Sequence, residues 1–163
     1  MSNANRGMYA EELVNRTNSY YYEHDIALIE KRYIPIKIIK TLNENTIIGK
    51  LLAKSYVDYC GIYKGKHIEF EVKQTNNNNF DLSLIKQHQL KHLINNKRHG
   101  GVAFIIVYFN SLEQFYLISI DNILEWKENN KSNTIKHEFI KDKCQLIEIS
   151  FPGIIDYLPF IGL

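Results

Sequence analysis

Apolar and polar residues change their spacing several times along this chain, and each change marks an element. From about Gly7 to Tyr22, Met8, Leu13 and Val14 fall at helical spacing and predict a first helix with one apolar face. Ile26-Ala27-Leu28-Ile29 then opens a strand that runs toward Pro35. Ile36-Lys37-Ile38-Ile39-Lys40 alternates, Asn43-Glu44-Asn45 interrupts with turn residues, and Thr46-Ile47-Ile48-Gly49-Lys50 can return antiparallel as a protruding hairpin. Alternation resumes over Tyr56 to Tyr63, stops at the tight turn Lys64-Gly65-Lys66, and continues from Ile68 to Lys73. Asn76 to Asn79 form a polar loop. Ser83 is placed to cap a helix from Leu84 to Asn96, where Leu84, Ile85, His88, His92 and Leu93 recur at helical spacing. Val102 to Phe109 is almost wholly apolar, as a buried central strand is. Phe115 to Ile120 reads as another strand, Asp121 to Lys127 as a short helix, and Glu128 to Asn133 as a loop; no internal repeat is visible.

The period-two rule gives the hairpin of Asp58 and Glu71-Val72-Lys73 a chemical meaning. Glu71 and Lys73 share one face of their strand and Val72 takes the other. Asp58, twelve intervening residues earlier, can point to the same face from the neighbouring strand. Two carboxylates and an ammonium then converge beside polar Gln74-Thr75-Asn76. Hard cations such as Mg2+ take oxygen ligands and need only one or two protein carboxylates. Asp58 and Glu71 can supply them, with the Val72 carbonyl as a third, and Lys73 can orient a water or stabilise a phosphoryl transition state. Spacing alone favours a plainer reading, with Glu71 and Lys73 as a solvated ion pair and Asp58 as a turn-side polar residue, because many exposed strands alternate acidic and basic residues.

Composition narrows the class. The 163 residues predict one domain, large enough for a core, with 45% apolar and 23% charged residues. A net charge of +2 excludes a polybasic nucleic-acid coat, so any DNA affinity must come from local patches. Two cysteines, Cys60 and Cys144, lack metal-ligand spacing and suggest no disulfide framework. No signal-peptide pattern and no membrane-length apolar run is present, so the expectation is a cytoplasmic protein.

The surroundings of the hairpin resemble the RecU Holliday junction resolvase family, a branch of the PD-(D/E)xK restriction-endonuclease-like nucleases. Asn5-Arg6-Gly7-Met8, Glu11, Asn15, Thr17-Asn18 and Tyr20-Tyr21 carry the resemblance at the N-terminus. Pro35-Ile36, Asp58-Tyr59, Gly61, Tyr63-Lys64-Gly65, Phe70-Glu71-Val72-Lys73, His88-Gln89 and Gly100-Gly101 carry it onward. It ends at Ile155-Asp156-Tyr157-Leu158, so the blocks span nearly the whole chain in family order.

The resemblance implies an α/β fold: a mixed central sheet flanked by helices, with a stalk inserted at about 36–53 that enters the centre of a four-way junction. It implies a Mg2+-dependent endodeoxyribonuclease, with Mn2+ able to substitute, cutting junctions by paired symmetric nicks during recombination and repair. Two equivalent nicks call for two sites, hence a homodimer. Recombinase proteins are further candidate partners. Asp58, Glu71 and Lys73 are the catalytic candidates. Asp58, Glu71, the Val72 carbonyl and Glu11 are the metal candidates, Glu11 standing at even odds as a second-metal or water-mediated ligand, while Glu12 beside it faces another direction and is solvated. Arg6, the stalk-region lysines Lys37, Lys40, Lys50 and Lys54, and Gln89 are the DNA-binding candidates, each weighed against a solvent-facing alternative. His88 and His92, one turn apart, fit a partly buried helix face better than a metal site.

The chain departs from the family where Tyr56-Val57 replaces Thr-Thr before Asp58, where Ile34 replaces one stalk-base proline, and where Ile154 replaces an arginine; the stalk is also shorter. Two other readings follow: a same-fold nuclease acting on ordinary duplex, and a non-catalytic junction-binding module that modulates recombinase proteins.

Overall fold

The computed structural model describes residues 8–53 and 56–163. The expectations for Arg6 and Lys54, and for the Met8 side chain, lie outside them. Helix α1 (Met8–Glu23) is followed by β1 (Leu28–Lys31) and a hairpin of β2 (Ile36–Asn43) and β3 (Thr46–Leu51). Strands β4 (Tyr59–Tyr63) and β5 (Lys66–Thr75) form the second hairpin, and short β6 (Phe80–Asp81) precedes α2 (Gln87–Arg98). Then come β7 (Val102–Phe109), β8 (Gln114–Ser119), α3 (Ile120–Asn129), β9 (Thr134–Ile135), α4 (His137–Lys143), and the short strands β10 (Gln145–Ile147), β11 (Ile149–Ser150) and β12 (Ile154–Ile155).

Six strands form the main sheet in the order β1-β4-β5-β7-β8-β10. Only β5 and β7 run parallel, with α2 as the crossover between them; the other pairs are antiparallel. Strand β7 is nearly continuous apolar sequence because both of its faces are covered. Phe70, Val72, Phe104 and Ile106 pack against Leu13 and Val14 of α1 on one side of the sheet. Ala103, Ile105, Val107 and Ile118 pack against Leu93 of α2 and Ile123 and Trp126 of α3 on the other.

Helix α1 buries Ala10, Leu13, Val14, Thr17 and Tyr21, the one stripe that 3.6-residue spacing allows. The C-terminal Ile155-Asp156-Tyr157-Leu158 segment is stitched to that helix. Thr17 Oγ1 accepts from the Ile155 N–H, Tyr21 OH donates to Asp156 Oδ1, and Tyr157 OH donates to Asn18 Oδ1. At the sheet edge, Gly61 is demanded by close approach: a Cβ there would lie 2.1 Å from the Leu28 carbonyl oxygen and push β1 off β4.

Several boundaries differ from expectation. The helix expected over Leu84–Asn96 starts at Gln87, and Ser83 is not its cap. Asp81 Oδ1 instead accepts from the Ser83 N–H, closing one 3-10 turn over Leu82–Leu84 and leaving Ile85 extended and buried. Strand β8 ends at Ser119, because the Ser119 side chain caps α3 by accepting from the Asn122 N–H. The first strand is four residues long and does not run on to Pro35. Strand β4 starts at Tyr59, three residues later than the alternation of Tyr56 to Tyr63 suggested. Helix α4 and strands β6 and β9 to β12 were not foreseen; they are short, with little periodicity of their own.

The hairpin expected between Ile36 and Lys50 forms, with Lys37 opposite Lys50. Every residue of β2 and β3 is exposed, so the hairpin stands clear of both cores.

Candidate active site

The late start of β4 is what makes the site. Strands β4 and β5 pair as far as Tyr59 and Phe70, then diverge. Asp58 occupies the divergence. Its backbone carbonyl continues the ladder toward β1 by accepting from the Arg32 N–H at 2.8 Å, while its side chain turns to β5, where Oδ2 accepts from the Val72 N–H at 3.3 Å. An extended residue points its N–H and C=O to the same strand edge. The Val72 carbonyl therefore faces the same gap as Asp58.

Glu71 and Lys73 lie on the α2 face of β5, as alternation required. Lys73 Nζ donates to Glu71 Oε2 at 2.5 Å and lies 3.7 Å from Asp58 Oδ2, so one ammonium serves both carboxylates. Glu71 is fully buried, whereas Asp58 and Lys73 remain partly open. Helix α2 supplies the last contact: Gln89 Nε2 donates to Glu71 Oε1 at 2.8 Å, and Gln89 Oε1 accepts from the Lys86 N–H at 3.0 Å. The amide expected as a DNA contact is itself buried, and both of its ends are engaged within the protein.

Burial dominates the electrostatics and pushes the Glu71 carboxyl up to about 8; Lys73 works against this and the nearby Asp58 carboxylate adds to it. Once Glu71 gives up its proton, two carboxylates against one ammonium leave the cluster with one net negative charge. That is an oxygen-rich, electronegative gap suited to a hard divalent cation, the water ligands completing the shell. Among the described residues no group of three or more His, Cys, Asp and Glu side chains gathers that could hold a metal; Asp58, Glu71 and the Val72 carbonyl are the oxygens that face the gap.

The other candidates are distributed around this centre. Glu11 binds Lys31 Nζ through Oε2 at 2.5 Å. Lys31 and Asp58 both line a cleft of about 560 Å³ that also includes Ile34, Leu51 and Leu52 at the stalk root. Glu11 and Asp58 both act on the buried Tyr59 hydroxyl which, burial first, is pushed well above its ordinary value. Lys37, Lys40 and Lys50 sit on the exposed hairpin. His92 belongs to a partly buried helix face, as expected, stacked on Tyr56 at 4.7 Å between ring centroids.

Sequence reasoning passed over Glu69. It shares the α2 face with Glu71 and is 3% exposed. Arg32 Nη2 donates to its Oε1 at 2.5 Å, His92 Nε2 lies 2.7 Å from its Oε2, and Asn96 Nδ2 donates to the same oxygen at 2.9 Å. Burial alone would raise this carboxyl, but His92, Arg32 and His67 together hold it below the usual range. The signal was available: the alternation that placed Glu71 inward places Glu69 there too. Gly101 guards the cluster, since a Cβ there would collide with the Asn96 side chain.

The fold is that of the restriction-endonuclease-like class. It matches the 1.6 Å structure of Archaeoglobus fulgidus Hjc, a Holliday junction resolvase, with a TM-score of 0.51 over 80% of this chain and 91% of that one. Identity to that protein is 9%, so the likeness is one of fold alone. A family model described as Recombination protein U, RecU, matches residues 5–162, and the chain belongs to the RecU family. It is 35% identical over 162 residues to the Holliday junction resolvase RecU of Ureaplasma parvum serovar 3, covering 99% of this chain and 95% of that one. It is 40% identical to that of Mycoplasmopsis pulmonis, covering 99% and 96%, and 35% identical to that of a Bacillus cereus strain, covering 98% and 84%.

Proposed function

We propose that this chain is a Mg2+-dependent, structure-selective endodeoxyribonuclease that resolves four-way junctions in the cytoplasm during recombination and repair. The observation that carries the reading is the divergence of β4 from β5, with Asp58 filling it and Lys73 shared between Asp58 and buried Glu71. Family membership and the names of the relatives supply the substrate.

Asp58, Glu71 and the Val72 carbonyl would hold the cation, with Glu11 as a second-metal or water-mediated ligand; Mn2+ would substitute. The cation, when bound, supplies Lewis acidity toward water and the scissile phosphate. Gln89 and Lys73 each take one oxygen of the Glu71 carboxylate and so fix its orientation. Lys73, anchored by two carboxylates, holds the attacking water in line or donates to a phosphate oxygen as charge develops there. Hydrolysis leaves 5′-phosphate and 3′-hydroxyl ends. Arg6, Lys37, Lys40, Lys50 and Lys54 take the backbone phosphates of the junction arms. The hairpin is an insertion in a single nuclease domain and enters the junction opening. Its exposure along the entire length supports that role. Paired nicks require two copies of the site, so the working form is a homodimer. Recombinase proteins are its further partners.

The test is cleavage of a mobile four-way junction beside linear duplex of the same arms, in Mg2+, Mn2+ or EDTA, with wild type and Asp58→Asn. Paired nicks in the junction only, abolished by EDTA and by the substitution, are expected. Equal cutting of duplex would favour a general nuclease, and tight junction binding without cleavage in either metal would favour a binding module.

A further inference from the structure

Arg32 is the first residue after β1 and stands four positions before the stalk begins at Ile36. From there it bonds into the neighbourhood of the catalytic pair, its guanidinium also meeting Cys60 on β4. Its backbone N–H donates to the Asp58 carbonyl at 2.8 Å, and its guanidinium donates to Glu69 Oε1 at 2.5 Å. Glu69 is buried and cannot follow a moving partner, because His92 and Asn96 hold its other oxygen from α2. Gln89, His92 and Asn96 recur at spacings of three and four residues and so share one helix face. That face grips Glu71 and Glu69 together, making β5 and α2 a rigid frame with Arg32 fastened to it.

Asp58 has left the β4–β5 ladder and lies between buried Val57 and Tyr59. Its carboxylate meets the Val72 N–H, the Glu71 carboxyl and the Lys73 ammonium, and its carbonyl takes the Arg32 N–H. Beyond Arg32, every residue of β2 and β3 is exposed.

We infer that Arg32, anchored on Glu69, is a positioning residue that sets Asp58 for metal binding and ties the root of the stalk to the active site. This rests on the reading of Asp58 and Glu71 as metal ligands. A guanidinium is suited to the task because it stays charged and holds a fixed planar geometry against a carboxylate. Groups that orient a metal ligand through one intervening bond typically change metal affinity or activity 10–100-fold when removed.

The experiment compares wild type, Arg32→Ala, Arg32→Lys, Glu69→Gln and the Arg32→Ala/Glu69→Gln pair. Three quantities are read: Mn2+ affinity without DNA by calorimetry, junction affinity without metal by anisotropy, and kcat on the junction. Arg32→Ala is expected to weaken Mn2+ binding and lower kcat by about 10–100-fold, with junction affinity changed less than about threefold. Arg32→Lys, whose ammonium can still meet Glu69, should recover most of the loss. The double substitution should be little worse than either single one, since both remove the same anchor; it also avoids leaving Glu69 buried without its cation, so a folding failure of Arg32→Ala alone does not end the test. Weakened junction binding with unchanged Mn2+ affinity and kcat would make Arg32 a phosphate contact and overturn the inference, as would no change in any quantity. A wild type that binds no Mn2+ would reject the metal site itself, a separate failure visible before any Arg32 variant is compared.

Discussion

Replacing Glu71 by Gln should inactivate the enzyme and, without metal, stabilise it at neutral pH and above. Glu71 is fully buried and its carboxyl is pushed from the ordinary 4.5 up to about 8, burial being the largest cause. The folded protein therefore keeps a proton that the unfolded chain has released, and stability falls as pH rises from about 4.5 to about 8. At about 1.36 kcal/mol per pH unit the full penalty approaches about 5 kcal/mol, of which about 3 kcal/mol is felt at pH 7. Gln carries no such penalty and can still accept from Gln89 Nε2, but it gives up the charged bond from Lys73, which is worth about 2 kcal/mol net. The variant should fall about 1 kcal/mol below wild type near pH 5, and exceed it by about 1 kcal/mol at pH 7 and about 2 kcal/mol at pH 8. In a protein of this size about 1 kcal/mol raises Tm by roughly 2–4 °C. Thermal melts in EDTA from pH 5 to pH 8 provide the assay, read as the difference between the two proteins so that other titrations cancel. A difference that stays flat with pH, or a variant less stable than wild type at pH 8, would refute the reasoning. Added Mn2+ should raise the Tm of wild type only, since binding to the folded state alone stabilises it.

The same carboxyl predicts how metal binding depends on pH. Glu71 must lose its proton before it can ligate, so Mn2+ affinity should rise about tenfold per pH unit below about 8 and level off above it, by calorimetry; a pH-independent affinity would remove Glu71 from the ligand set. On the stalk, Lys37→Ala with Lys50→Ala should lower junction affinity and reduce the slope of log affinity against log salt by about 2, with kcat unchanged at saturating DNA. An unaltered salt slope would show that these two lysines touch no phosphate.

Much of the fold was legible because it is written in local periodicity. Helix α1, the stalk hairpin, the β4–β5 hairpin, α2, β7 and β8 each announce themselves by a run of period 3.6 or 2. The face assignment of Glu71, Val72 and Lys73 follows from the same rule and needs no partner to be known. Boundaries set by competing side chains were not legible: Asp81 takes the Ser83 N–H, and Ser119 claims the start of α3. The elements after Asn133 were missed because two- and three-residue strands have too few positions to display a period.

The candidate site divides in the same way. The chain by itself nominated Asp58, Glu71 and Lys73 as the candidates for the chemistry, since their types and spacing and the order of the family blocks are properties of the sequence. Only the tertiary structure decided that β4 parts from β5 at Asp58, that Gln89 turns inward to Glu71, and that Arg32 and α2 share Glu69. Periodicity tells a side chain which way to face, but the depth of its burial and the identity of its partner depend on segments far away in sequence. Desolvation and hydrogen bonding at that depth set the charge of Glu71.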